Sequence, residues 1–177
     1  MKLLVLALTS LLLLFIQTNL LRPSEDTFLV RPDLLLLLVL FWGLRFGQAQ
    51  GLVAAAIAGV LLDSTSSLPT GGHLLALVPI VLVAAVARQQ PVASRTTLGF
   101  FLTCLATFIY YLILALVLQI TGRPLDWLGS VVSVMLPAML INALLSPLFL
   151  LWTDYLGMLL GQRRLSPTLR RPERLTL

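Results

Sequence analysis

Leu34 to Leu40 is an unbroken run of leucine and valine, and it is one of a series of apolar runs that fills the chain, separated only by short polar turns. Hydrocarbon stretches of this kind leave a chain few choices. In a bilayer every backbone N–H and C=O must be bonded internally, and consecutive helices achieve this without any partner strand. The composition agrees: 59% of residues are hydrophobic and only 11% charged, with a mean hydropathy of +1.01. That balance excludes an ordinary soluble domain. With roughly 20 residues per span plus turns, the 177 residues accommodate about six transmembrane helices and no soluble catalytic domain. The expected fold class is therefore all-α, a polytopic membrane helix bundle. It forms one integral membrane domain over residues 1–161, followed by a basic tail over 162–177 whose composition predicts disorder.

The runs and breaks place the helices. Met1-Lys2 and the apolar stretch to Phe15 resemble a signal peptide, but Gln17–Arg22 offers no small-residue cleavage site, so a retained first helix is expected to about Leu21. Pro32 fits the first turn of a second helix, where its missing N–H costs nothing, and Asp33 beside it suits the positive end of the helix dipole. That helix should end near Phe46. A third, from about Gly51 to Leu62 or slightly beyond, is also short. Such short neighbours suggest helices wedged in a bundle or a re-entrant pair. A fourth is expected from Gly72 to Arg88, kinked at Pro79, and a fifth from Thr96 to Ile120. The sixth should run from Trp127 through Asp154 or on to Leu160, interrupted at Pro137 and at Asn142…Pro147.

Charge tests the arrangement. With the N-terminus cytoplasmic, six spans put Lys2, Arg45, Arg88, Arg95, Arg163, Arg164, Arg170, Arg171 and Arg174 inside, and only Arg22, Arg31 and Arg123 outside. Both termini are then cytoplasmic. The net charge of +5 is concentrated in the tail, where the five arginines from Arg163 to Arg174 suit anionic lipid or a cytoplasmic partner rather than nucleic acid. A lone cysteine, Cys104, sits in an apolar run and reads as a small buried hydrophobe. Trp42 and Trp127, near span ends, suit the aromatic belt.

Three stretches carry the candidate sites. Gly51, Ala55, Gly59 and Asp63 recur every four residues and share a helical face, so another helix can approach closely. Packing inside the bundle is the commoner use of such a stripe. A helix-docking face for a partner is the sharper one. Asp63 ends the stripe beside the turn Ser64–Gly72, where it should bond turn hydroxyls or backbone, with proton or cation coupling as the alternative. His73 is the one histidine; without a third member it is expected to be an interfacial, hydrogen-bonded residue. Asn142 and Ser146 lie one turn apart, ahead of Pro147, which frees the carbonyl of Ala143. An interhelical polar clamp is expected there, with a pocket for a ligand headgroup as the alternative. No nucleophile motif, metal-ligand cluster or phosphate loop is present, so no enzyme and no cofactor are expected.

Arg31-Pro32-Asp33 with the following leucines, Ala58-Gly59-Val-Leu-Leu-Asp63, Pro69-Thr-Gly71, Leu74–Leu77 and Asn142-Ala-Leu-Leu-Ser-Pro147 together resemble the bacterial rod shape-determining MreD family. The resemblance spans roughly Pro32 to Pro147. Pro32, Asp33, Asp63, Pro69, Gly71, Asn142 and Pro147 stand at its polar and turn landmarks, while the Arg-rich tail lies outside the resemblance. It implies a six-helix fold similar to the substrate-binding subunits of energy-coupling-factor vitamin transporters. It also implies a non-enzymatic scaffold of the elongation machinery in the bacterial cytoplasmic membrane. The implied partner is MreC, a single-span protein, linked through it to MreB, RodA and a class B penicillin-binding protein in lateral peptidoglycan synthesis. A small-solute, vitamin-like binding or transport subunit is the rival expectation.

Overall fold

A computed structural model describes residues 2–20, 31–66, 69–89, 94–123 and 126–160. These residues form an all-helical bundle with no strand among them. The α-helical segments are α1 (Lys2–Phe15), α2 (Leu34–Phe46), α3 (Gln48–Thr65), α4 (Gly72–Arg88), α5 (Arg95–Ile120), α6 (Trp127–Ser130) and α7 (Leu136–Leu159). A π-helical turn at Ile16–Leu20 prolongs α1, and a second at Val131–Met135 joins α6 to α7, giving six continuous rods. Three of these are long and apolar enough to cross a membrane: Lys2–Asn19, Thr96–Ile120 and Trp127–Leu159.

The axis of the bundle is α2. A helix that is apolar all round must be enclosed on every side, and all of α2 except Leu44 is buried. It packs against α1, α3, α4, α5 and α7. Its 13 residues reach only about 20 Å, short of the roughly 30 Å hydrocarbon thickness. It is enclosed by the helices around it.

Small residues set how closely α2, α3 and α4 approach. A Cβ on Gly51 would lie 2.8 Å from Val81 and 3.1 Å from the Gly43 backbone, and one on Gly43 would lie 3.2 Å from Ala84. Further along α3, a Cβ on Gly59 would meet the Leu74 backbone at 2.7 Å. The reversal from α2 to α3 takes a single residue, Gly47, at φ +95°, with the Arg88 guanidinium occupying the space a side chain would need.

Several helix ends differ from the sequence expectation. Pro32 precedes α2 rather than lying in its first turn, and Asp33 takes the N-cap position. The third helix is longer at both ends than Gly51–Leu62. Gly47 lets it start at once, and the Ser64 and Thr65 hydroxyls donate back to the carbonyls of Leu61 and Leu62 at its final turn. The fifth begins at Arg95, with Ser94 accepting from the Thr97 N–H. The last rod is interrupted at the π-turn before Pro137, where the ring removes a donor and crowds the preceding turn. It is not interrupted at Asn142…Pro147: α7 runs through both, because Asn142 directs its amide to other helices and not into its own backbone.

One end of the bundle collects charge. The Arg45 Nε lies 3.3 Å from Asp154 Oδ1, Lys2 Nζ lies 5.8 Å from the Phe46 ring centroid, and Arg88 closes over Gly47. Lys2 and Asp154, near opposite ends of the described chain, therefore share one end of the bundle, as an even number of crossings requires. Leucines and phenylalanines cover the outside, among them Leu8 and Leu12 on α1, Phe101 and Leu105 on α5, and Leu140, Leu144 and Leu148 on α7.

Candidate functional site

A helix that begins inside a bundle exposes N–H groups with no water to satisfy them. The start of α2 is such a place, and the polar residues of the interior gather around it. Asp33 N–H donates to Asn142 Oδ1 at 2.8 Å. The Asn142 amide in turn donates to Asp33 Oδ2 and to Thr107 Oγ1, both at 3.2 Å. The Tyr111 hydroxyl donates to the same Asp33 oxygen at 2.8 Å. Asp33 makes no side-chain cap bond to its own helix. Its carboxylate joins α2 to α5 and α7 instead.

The depth of this cluster follows from helix geometry. Asp33 precedes Arg45 by twelve residues on α2, and Asn142 precedes Asp154 by twelve on α7. Both intervals measure about 18 Å, so the two helices agree on the distance from the Arg45–Asp154 layer. On the other side, fifteen residues, or about 22 Å, separate Asn142 from Trp127. The cluster thus lies near the middle of the longest rod. Asn142 and Thr107 are fully buried, whereas Asp33 and Tyr111 keep accessible surface.

A second polar group lies where α3 hands over to α4. Asp63 Oδ2 accepts from the Gly71 N–H at 2.9 Å, and Oδ1 accepts from the His73 N–H at 3.0 Å. Of the partners expected for Asp63, the backbone of the turn is the one it takes. A carboxylate at the positive end of α4 is favourable for the dipole and for the unsatisfied donors together. Gly71 sits at φ +94°, and the conformation aims its N–H and that of His73 at one acceptor. The His73 ring shares a 2.7 Å hydrogen bond with the Tyr110 hydroxyl. Tyr110 meets Tyr111 edge to face, with ring centroids 5.5 Å apart. The two polar groups are therefore joined through adjacent tyrosines of α5.

The remaining expected residues fall as follows. Gly51, Ala55 and Gly59 are buried against α2 and α4 of the same chain. Pro69 starts the turn to α4, its carbonyl accepting from the Gly72 N–H. Pro147 lies inside α7. Ser146 is fully buried and its hydroxyl has no hydrogen-bond partner among the described residues. His73 is buried and hydrogen-bonded to Tyr110. Trp42, expected in the aromatic belt, is entirely enclosed, with its ring centroid 4.3 Å from that of Phe46; its neighbours are helices, because α2 has no outer face. Arg163, Arg164, Arg170, Arg171 and Arg174 lie outside the described residues.

Sequence reasoning missed two features. Tyr110 and Tyr111 carry no mark that separates them from other aromatic residues of a membrane helix, yet they link the polar groups. The pairing of two tyrosines with an aspartate and an asparagine on separate helices has no local signature. The Arg45–Asp154 ion pair was also missed. Its one signal was Gly157, a turn after Asp154, which leaves room for the Arg45 side chain.

Among the described residues no three of His, Cys, Asp or Glu gather as a metal site would require. A family model described as rod shape-determining protein MreD matches residues 1–160. No curated protein and no solved structure matches the chain.

Proposed function

Because the chain belongs to the rod shape-determining protein MreD family, we propose that it is a non-enzymatic membrane scaffold of the elongation machinery, working through helix contacts within the bilayer. Rod shape determination is the family's role. The match over residues 1–160 carries this reading, since it takes in all six helical rods and both polar groups.

The finer assignments extend that premise. The partner is a single-span protein of the MreC type, and through it the chain is coupled to MreB, RodA and a class B penicillin-binding protein in lateral peptidoglycan synthesis. The protein resides in the bacterial cytoplasmic membrane with both termini cytoplasmic. The clustering of Lys2, Arg45 and Arg88 at one end of the bundle supports that orientation through the positive-inside rule. Residues 162–177 form a basic tail in which Arg163, Arg164, Arg170, Arg171 and Arg174 meet anionic lipid, each contributing about 1 kcal/mol near the surface. Gly51, Ala55, Gly59 and Asp63 act as a helix-docking face whose occupants are α2 and α4 of the same chain. Their role in the scaffold is to hold the central helices at close approach.

The rival reading, a small-solute binding subunit, gains little from the interior. Asn142 bonds Asp33 and Thr107, and His73 bonds Tyr110, so these polar groups are engaged with one another. Depletion with complementation tests the proposal. Loss of the chain should turn rods into wide or rounded cells, and re-expression should restore width. Normal width after depletion, with impaired growth on a scarce vitamin, would favour the rival instead.

A further inference from the structure

We propose that the Asp33 cluster is a binding site for one small monovalent cation, taken up as a proton or as a sodium ion. The argument starts from charge. Asp33 lies about 18 Å along α2 from the layer of Arg45, and among the described residues no cation pairs with it; the ion pair at that layer joins Arg45 to Asp154. The positive end of α2 offers roughly half an elementary charge. A full carboxylate charge in an apolar interior is then left partly unbalanced, which such an interior does not tolerate cheaply.

Geometry supplies the place. Both side-chain donors to Asp33, Tyr111 and Asn142, converge on Oδ2. Oδ1 takes no hydrogen bond among the described residues, and Asp33 keeps an accessible edge. Three further oxygens belong to the same cluster: the Tyr111 hydroxyl on Oδ2, the Asn142 carbonyl on the Asp33 N–H, and the Thr107 hydroxyl on the Asn142 amide. One turn along the same face of α7 is Ser146, fully buried, with no hydrogen-bond partner among the described residues. The antiparallel register of α5 and α7, fixed by Gly99 against Leu150 and Thr107 against Asn142, carries Thr103 opposite Ser146. Hard cations take oxygen ligands of this kind. A divalent ion is not favoured, because the second acid, Asp63, has both oxygens on backbone N–H groups at the α3–α4 turn.

Among the described residues the titratable and charged groups around Asp33 are few. From α5 they are Tyr111, in contact, and Tyr110 beside it; His73 of α4 and Asp63 of α3 connect only through Tyr110. From α7 the nearest is Asp154 and from α1 it is Lys2, both at the far end of the bundle. Arg31, two residues before Asp33, is exposed.

The test uses the full chain purified in detergent. A carbodiimide, which adds to protonated carboxyls in apolar surroundings, is applied to wild type across neutral pH, with sodium or choline chloride at equal ionic strength. Adducts are then mapped by peptide mass spectrometry. Modification of Asp33 that sodium suppresses identifies a sodium site. Modification that falls as pH rises, indifferent to sodium, identifies a proton site. In either case the melting temperature should respond to the same cation in wild type and in Asp154→Asn, and should lose that response in Asp33→Asn. Thr107→Val and Ser146→Ala, which leave the carboxylate in place, should raise the half-saturating cation concentration about tenfold, and they carry the test if Asp33→Asn does not fold. An unmodified Asp33 under all conditions, or a thermal response unchanged in these variants, overturns the proposal.

Discussion

Asn142 makes three hydrogen bonds with one amide, reaching the backbone and side chain of Asp33 and the hydroxyl of Thr107. Replacing it with leucine keeps the branched shape but leaves the Asp33 N–H without a protein acceptor. Asn142→Leu should therefore destabilise the bundle by about 2–3 kcal/mol, the scale set by orphaned buried donors, measured by thermal unfolding in detergent. The glycines separate by a different physics. At Gly59 the obstacle is space, with Leu74 at 2.7–3.1 Å; Gly59→Leu should prevent α3 and α4 from closing and abolish recovery of folded protein. At Gly71 nothing lies within 4 Å and the obstacle is φ +94° alone. Gly71→Ala should cost only about 1–2 kcal/mol, the usual left-handed penalty, and leave folding intact. Equal recovery of the two variants would contradict this distinction. Asn142 and Asp63 were legible in the sequence because an amide or a carboxylate stands out among leucines. Thr107 on Asn142, Tyr111 on Asp33 and Tyr110 on His73 were not, since such residues are common on membrane helices and only tertiary packing selects these three.

The helices themselves were more legible than their purposes. Apolar runs and the breaks at Gly47, Pro69 and Ser94 delimit α2 to α5 to within a few residues, because backbone satisfaction in hydrocarbon admits little else. The same runs could not say that α2 is the enclosed axis: its leucines read alike whether they face lipid or protein. Nor could they place its start in the interior, which depends on Asn142, more than a hundred residues away, accepting the Asp33 N–H. The α3–α4 junction is the element most open to test. Asp63 caps α4 through two backbone N–H groups, so Asp63→Ala should cost about 1–2 kcal/mol, in the range of strong N-caps, and Asp63→Asn less, since its one acceptor oxygen can still serve a single donor. Amide exchange should quicken at Gly71 and His73 in both variants. Unaltered exchange there would show that the cap is not what orders the turn.

At the scale of the whole molecule, six rods with a charged layer at one end and a polar cluster midway form a bundle whose described outer faces carry many exposed leucines, valines and phenylalanines. Its interior bonds hold the short helices in place, and its surface is left for lipid and for other membrane helices. The orientation has a direct check. In a Cys104→Ser background, a membrane-impermeant maleimide added to intact spheroplasts should label Thr121→Cys, and should label Gln89→Cys only after permeabilisation; the reverse pattern would invert the bundle. The central claim, that this bundle serves rod shape by holding partners within the membrane, is tested most directly by affinity purification from native membranes in mild detergent with mass spectrometry of the co-eluting proteins. Recovery of a single-span protein of the MreC type together with wall synthases is the predicted result, whereas recovery of ATPase subunits or a tightly bound small molecule without those partners would contradict it.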